Sequence, residues 1–269
     1  MPRIALIVAY KGKNYHGWQY QNETTPTIQR ELTSAISKVS DETVILRAAG
    51  RTDSGVHATK QVVHFDTRVI RPDKAWVLGA NVQLREDVSV EWAAAVSKDF
   101  DARRSALSRR YLYLIQNTKV RSALMHDFLS HEHRQLDAGD MNEAAQVLLG
   151  ENDFSSFRAS SCQAISPMRN VLHIEVKRMG DLVVIDMAAN AFLHRMVRNI
   201  VGALVEVGAG EKPIHWVGEL LSLSDRSAGP RTASPRGLAL INVVYPPEFG
   251  IPAKAGLPNF YQMVDIASL

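Results

Sequence analysis

Two strand-forming runs set the terms for how this chain can fold. Arg3 to Tyr10 is apolar and rich in Ile and Val, and Arg109 to Ile115 places Tyr111, Tyr113 and Ile115 on one face of an extended segment. After each run, helical periodicity and then further strand patterns follow. In the first half, Thr25-Pro26 reads as an N-cap with proline in the first turn. Ile28, Leu32, Ala35, Ile36 and Val39 then form one helical stripe to about Ser40. Val44 to Ala49 and Thr59 to Thr67 read as strands, Pro72 to Val82 as a short helix and Val88 to Val96 as a strand. In the second half, Asp137 to Leu149 is helical and stopped by Gly150, and a polar loop runs to about Met168. Asn170 to Lys177 and Asp181 to Ala188 are strands, Asn190 to Val207 and Ile214 to Leu223 are helices, and Gly237 to Tyr245 is a closing strand. On the helix predicted from Asn190, His194, Arg195, Arg198 and Asn199 form a narrow polar stripe.

This repeated order predicts an α+β chain: two related lobes of mixed or antiparallel sheet with helices, and a cleft between them. At 269 residues the chain is long for one compact domain and comfortable for two of about 100 to 150. The expected lobes are 1–105 and 106–247, with an irregular tail over 248–269.

No apolar run approaches the roughly 20 residues of a spanning helix, so no membrane partner is expected. Met1-Pro2-Arg3-Ile4 lacks the charged and small-residue features of a secretory signal, and the expected location is cytoplasmic. The single cysteine, Cys162, can form no internal disulfide, which fits a reducing compartment.

Net charge is only +3, yet its distribution is uneven. Between Ala102 and His126 stand Arg103, Arg104, Arg109, Arg110, Lys119 and Arg121 with no acid, and from Arg226 to Pro247 stand Arg226, Arg231 and Arg236, again with none. Local basic surfaces on a near-neutral protein suit a polyanion held in one place. Any one of these arginines could equally be a solvated surface residue.

The octet Gly50-Arg51-Thr52-Asp53-Ser54-Gly55-Val56-His57 carries the chemistry. An aspartate in a glycine-bounded loop is by itself a turn former. With an arginine two residues before and a glycine two after, it fits an exposed, ion-paired acid on a tight turn.

The octet resembles the Gly-Arg-Thr-Asp-Ala-Gly-Val-His signature of the TruA family of tRNA pseudouridine synthases, with Ser54 in place of alanine. Tyr15-His16-Gly17-Trp18-Gln19-Tyr20-Gln21, Arg110-Tyr111-x-Tyr113, Met196-Val197-Arg198-Asn199 and Gly237-Leu238 are similar to further motifs of that family, spread up to about Tyr245. Lys11 departs from it, standing where Tyr-Asp-Gly is usual, and implies a local change of charge near an RNA-facing loop.

The resemblance implies a cofactor-free isomerase that converts uridine to pseudouridine at positions 38, 39 and 40 of the tRNA anticodon arm. It assigns Asp53 as the nucleophile and Arg198 as its ion-pair partner. The carboxylate could attack sugar or base covalently, or stabilise charge while a glycal-like intermediate forms. A charge pair at about 4 Å in an effective dielectric near 20 contributes roughly 4 kcal/mol before desolvation is subtracted, which offsets a moderate burial penalty on Asp53. Tyr111 is the expected platform for a flipped base. Arg51 is expected on the RNA backbone or in the space the base vacates, and Leu238 along the pocket. Family members are homodimers with tRNA spanning both subunits, so a homodimer is implied.

Three other readings compete. His126, His131, Glu132 and His133 could be metal ligands, but they lack a convincing partner set, and no metal is expected. An aspartyl-phosphate hydrolase would want a second carboxylate at position 55, which is glycine. A non-catalytic tRNA-binding or tRNA-folding protein would use the same basic strips but not the octet. No phosphate-cradling or dinucleotide glycine motif is present.

Overall fold

A computed structural model describes residues 1–257. In chain order the regular elements are β1 (Arg3–Tyr10), α1 (Ile28–Ser40), β2 (Arg47–Ala48), β3 (His57–Asp66), α2 (Asp73–Gln83), β4 (Val88–Val96), β5 (Ser108–Asn117), β6 (Ser130–Glu132), α3 (Ala138–Ala145), β7 (Gly150–Asp153), β8 (Met168–Met179), β9 (Leu182–Ala189), α4 (Met196–Gly208), α5 (Trp216–Leu223) and β10 (Leu238–Val244). The class is α+β. The chain forms two compact units, one of Met1–Leu107 with the described residues from Ala239 onward, the other of Ser108–Leu238. The closing strand, read from sequence with the second lobe, thus has Ala239 to Val244 in the first unit.

In the first unit the strands run in the order β4-β1-β3-β10, with β2 paired to β3. β1 pairs antiparallel with both β3 and β4, whereas β10 lies parallel to β3, Ala239 opposite His57 and Leu240 opposite Ala58. β3 is buried on both faces over nearly its whole length, so its polar residues need internal partners. Gln61 donates to the carbonyl of Gly50 at 2.8 Å, and His64 Nδ1 accepts from the amide of Ala102 at 3.0 Å. Lys60, only 3% exposed, donates to Asn242 Oδ1 and to the carbonyls of Pro252 and Lys254 at 2.5 to 2.7 Å. The segment after the last strand is therefore fixed where it crosses β3. The rest of the expected tail, residues 258–269, lies outside the described residues.

α1 buries Ile28, Leu32, Ala35 and Ile36, of which Ile28, Leu32 and Ile36 each contribute about 1.5–3 kcal/mol of transfer free energy. Its cap is Thr27, whose hydroxyl accepts from the amide of Arg30, not Thr25 as the sequence suggested. Thr25 is taken up in a turn whose amides at Thr24 and Thr25 donate to Asn22 Oδ1, and the carbonyl of Pro26 accepts from His16. The strand expected over Val44 to Ala49 shrinks to Arg47–Ala48.

In the second unit the order is β5-β9-β8-β7, all antiparallel, with β6 added parallel to β5. α3, α4 and α5 pack together, and α3 lies on β8. α4 begins six residues later than the periodicity predicts. Asn190 Oδ1 accepts from the amides of Asn170 and Ala191, the carbonyl of His194 accepts from Ala159, and Arg195 takes the left-handed conformation at φ 62°. His194 and Arg195 therefore precede the helix rather than joining Arg198 and Asn199 in one polar stripe on it, and Asn199 is fully buried.

Candidate active site

Asp53 sits in the loop between β2 and β3, half-buried, on a turn closed by the amide of Val56 donating to its own carbonyl at 3.1 Å. Gly55 occupies the third position of that turn at φ 81°, a conformation that disfavours any side chain there. The loop is held from outside by the segment following β1. The amide of Trp18 donates to the carbonyl of Thr52 at 3.0 Å, and the carbonyl of Tyr15 receives the amide of Gly55 and the hydroxyl of Ser54, both at 3.3 Å. Gly17, at φ 86°, lies against the peptides of Thr52 and Asp53.

From below, Tyr10 and Thr52 share a 2.8 Å hydrogen bond between buried hydroxyls, and burial raises the Tyr10 phenol to about 12. The buried His57 accepts from the amide of Gly12 at Nδ1, 3.1 Å, which places the proton of the neutral ring on Nε2. A β-carbon on Gly12 would collide with the carbonyl of Val56. Both flanks of Asp53 are thus fixed by backbone contacts that only glycine permits. Lys11, where the chain departs from the family pattern, is half-buried and ties its amide to the carbonyl of Asp87.

Arg51 is exposed on the same loop. The remaining expected residues belong to the second unit. Tyr111, 8% exposed, stands on β5 opposite Met187 of β9, with its ring edge-on to Phe192 at 5.1 Å. Arg198 is the third residue of α4, and its Nε donates to the carbonyl of Ala233 at 2.8 Å while the amide of Ala233 returns a bond to the carbonyl of Arg198. Leu238 is buried at the start of β10, its amide on the carbonyl of Pro235. Arg110, beside Tyr111, is committed to Asp186, with its Nε 2.8 Å from Oδ1.

Sequence reasoning missed the bracing of Arg198. Asn199 donates to the carbonyl of Phe157 and accepts from the hydroxyl of Thr232, each at 2.7 Å. Gly202, one turn on, abuts the carbonyl of Arg231. Three residues on one side of α4 therefore clamp residues 231–233, part of the acid-free stretch noted above. Tyr113 adds a fourth tie, donating to the carbonyl of Ser234 at 2.9 Å. The available signal was the adjacency of Arg198, Asn199 and the glycine three residues on.

The histidines considered as ligands go separate ways: His126 toward Asp127 at 2.9 Å, His131 toward the carbonyl of Thr118 at 2.8 Å and His133 toward Glu132 at 3.5 Å. Among the described residues no group of three or more histidine, cysteine, aspartate or glutamate side chains could hold a metal, and no helix is long and apolar enough to cross a membrane.

A sequence family described as tRNA pseudouridine synthase matches residues 6–103 and 144–246. The tRNA pseudouridine synthase A of Pasteurella multocida is 51% identical over 260 residues, covering 97% of this chain and 98% of that protein. Its counterpart from Actinobacillus succinogenes is 52% identical over 258 residues, covering 96% and 97%. Among solved structures, a chain of a Cbf5-Nop10-Gar1 complex aligns with TM-score 0.35 and 15% identity, over 88% of this chain and 57% of that one, too weakly to bear on the fold. The chain belongs to the tRNA pseudouridine synthase A family.

Proposed function

We propose that this tRNA pseudouridine synthase acts on uridines 38, 39 and 40 of the anticodon arm, with Asp53 as its nucleophilic carboxylate. The observation that carries the reading is the Asp53 loop itself. A half-buried acid is held by glycine-dependent backbone contacts on both flanks, which is pre-organisation of a reacting group and exceeds what a surface turn requires.

The isomerisation balances without cofactor. The C1′–N1 bond breaks, the uracil turns, a C1′–C5 bond forms, the C5 proton leaves and N1 gains one. The Asp53 carboxylate serves this exchange either by adding to sugar or base and leaving again as the new bond forms, or by stabilising charge and moving a proton while a glycal-like intermediate forms. Arg198 keeps it ionised as the base displaces water. The target uridine leaves its stack and rests against Tyr111, with Leu238 along the pocket and Arg51 on the RNA side. Support for Arg198 lies in its bond to Ala233, which limits the rotamers of a long side chain. Support for Tyr111 is its edge-on packing against Phe192, which fixes the orientation of its ring. The protein works in the cytoplasm as a homodimer that shares one tRNA across both subunits.

The test is tritium release from C5-labelled uridine in unmodified tRNA, with the modified positions mapped. Asp53→Asn is expected to abolish release while still binding tRNA. Pseudouridine formation by that variant would refute the role of Asp53, and modification elsewhere in the tRNA would refute the position. A catalytically active monomer in sedimentation at assay concentration would refute the dimer.

A further inference from the structure

In the second unit, parts of the two acid-free basic stretches of the sequence, about a hundred residues apart, meet at one pocket. Its volume is about 200 Å³, and its lining includes Gln116, Arg121, His126, His131, Ser234 and Arg236, with Ser130 at its wall and no carboxylate. Arg121 and His126 come from the first stretch, Ser234 and Arg236 from the second.

The pocket is built around the end of β5. Gln116 and His131 face each other across the parallel β5–β6 pair, and Gln116 Oε1 accepts the amide of Ser122, fixing the loop that carries Arg121. Ser234 is held through its carbonyl by Tyr113, and Gly237 through its carbonyl by the amide of Leu114, which fixes the loop that carries Arg236. Of the nearest acids in sequence, Asp127 pairs with the pocket residue His126, Oδ1 to Nε2 at 2.9 Å, and Glu132 is bonded to Arg134 by Nη2 at 2.9 Å and Nε at 3.1 Å, so the positive charge of the pocket comes from Arg121 and Arg236.

We propose that this pocket binds a backbone phosphodiester of the tRNA substrate, at a place separate from the target nucleotide. Arg121 and Arg236 bring two guanidinium groups to one pocket, the side chain suited to phosphate recognition, and the serine hydroxyls and a carboxamide that line it are groups that donate to phosphate oxygens. Arg121, His131 and Arg236 are exposed at its mouth, which suits a chain that enters and leaves rather than an engulfed small molecule. Gln116 lies five residues along β5 from Tyr111, about 16 Å at strand rise, so a phosphate here fixes register two or three nucleotides from the base. The proposal rests on tRNA being the substrate.

The experiment compares wild type with Arg121→Gln, Arg236→Gln and the double variant, with the double lysine variant as control. Expected for the double glutamine variant is a KM for tRNA raised about tenfold and a log–log salt slope of binding reduced by about 1 for the lost contact, with kcat at saturating tRNA unchanged. The lysine variant recovers most of the KM. Unchanged KM and salt slope in all folded variants would overturn the proposal. So would tight binding of uridine monophosphate or inorganic phosphate that the glutamine variants lose while their tRNA KM stays wild type, because the pocket would then serve a free anion. Weaker tRNA binding with a reduced salt slope in the double glutamine variant, beside a wild-type protein that made no pseudouridine, would leave the pocket standing and sink the activity, so the two failures are distinguishable.

Discussion

A β-carbon on Gly17 would stand 2.7 Å from the carbonyl oxygen of Thr52 and 3.1 Å from the carbonyl carbon of Asp53. Both contacts are to backbone, so relief requires the Asp53 loop to move. Gly17→Ala also forces a side chain into φ 86°, for a combined cost of about 1–3 kcal/mol. We expect a tenfold or larger fall in kcat with little change in tRNA affinity, checked by tritium release and filter binding. Wild-type kcat in this variant would show that the loop tolerates displacement.

Tyr10→Phe removes the hydroxyl that meets Thr52 and leaves a buried threonine hydroxyl short of a partner, a loss of about 1–3 kcal/mol. The pH dependence has a defined sign. Burial raises the phenol to about 12 from its ordinary 10, so between those values the folded protein keeps a proton that the unfolded chain sheds. Stability is intact below pH 10 and falls from there through pH 12, and the fall becomes shallower in the variant. Tyr113, also raised to about 12, retains its share of the slope. Urea midpoints between pH 8 and 11 measure this.

Gly202→Ala would place a β-carbon 2.0 Å from the carbonyl of Arg231. Helix α4 would have to shift off residues 231–233, where Arg198 is bonded, at a cost of about 1–3 kcal/mol. The expected result is a loss of activity larger than the loss of folded protein accounts for, read as kcat per mole of folded enzyme. Activity that simply tracks folded fraction would show that the placement of Arg198 does not depend on this contact.

Lys60 titrates in the opposite sense to Tyr10. Burial lowers its ammonium to about 8 from 10.5, so between these values the unfolded chain holds a proton that the folded protein has shed. Stability relative to Lys60→Met therefore rises from pH 8 to pH 10.5. The same variant strips three oxygen acceptors of their donor, and trypsin should cut after Lys254 faster than in wild type at pH 7.5. Equal cutting rates would mean that the remaining ties, Gly256 to Ile241 and to Thr59, and Ala253 to Asn242, suffice to fix the segment without Lys60.

The strands β1 and β4 match their sequence ranges for different reasons: β1 is an apolar run buried along most of its length, whereas β4, with Val88 and Val90 buried on either side of a more exposed Ser89, carries the alternation of a half-covered strand. The family was legible because the octet around Asp53 is unusual as a string. What the sequence could not reveal depends on bonds between distant residues. β7 consists of Gly150, Glu151, Asn152 and Asp153, none a strand former, and is extended only because Asn170 and its neighbours on β8 pair with it. The start of α4 was misplaced because the apolar pattern continues through Phe192 and Leu193, while the side chain of Asn190 turns the backbone away. The clamp on Asp53 comes from Tyr15 and Trp18, and the clamp on Arg198 from residues 231–233. Neither leaves a periodic trace.

The unit that holds Asp53 is discontinuous: residues 108–238 intervene between β4 and the β10 residues that lie along β3. During synthesis the ribosome delivers the whole second unit before the strand that completes the first. Until Asn242, Pro252 and Lys254 emerge, Lys60 has none of the acceptors it meets in the finished protein. A nascent chain that has exposed the octet therefore carries an unfinished first unit, and truncation at residue 238 should leave Asp53 in place in the sequence but without a settled scaffold beneath it.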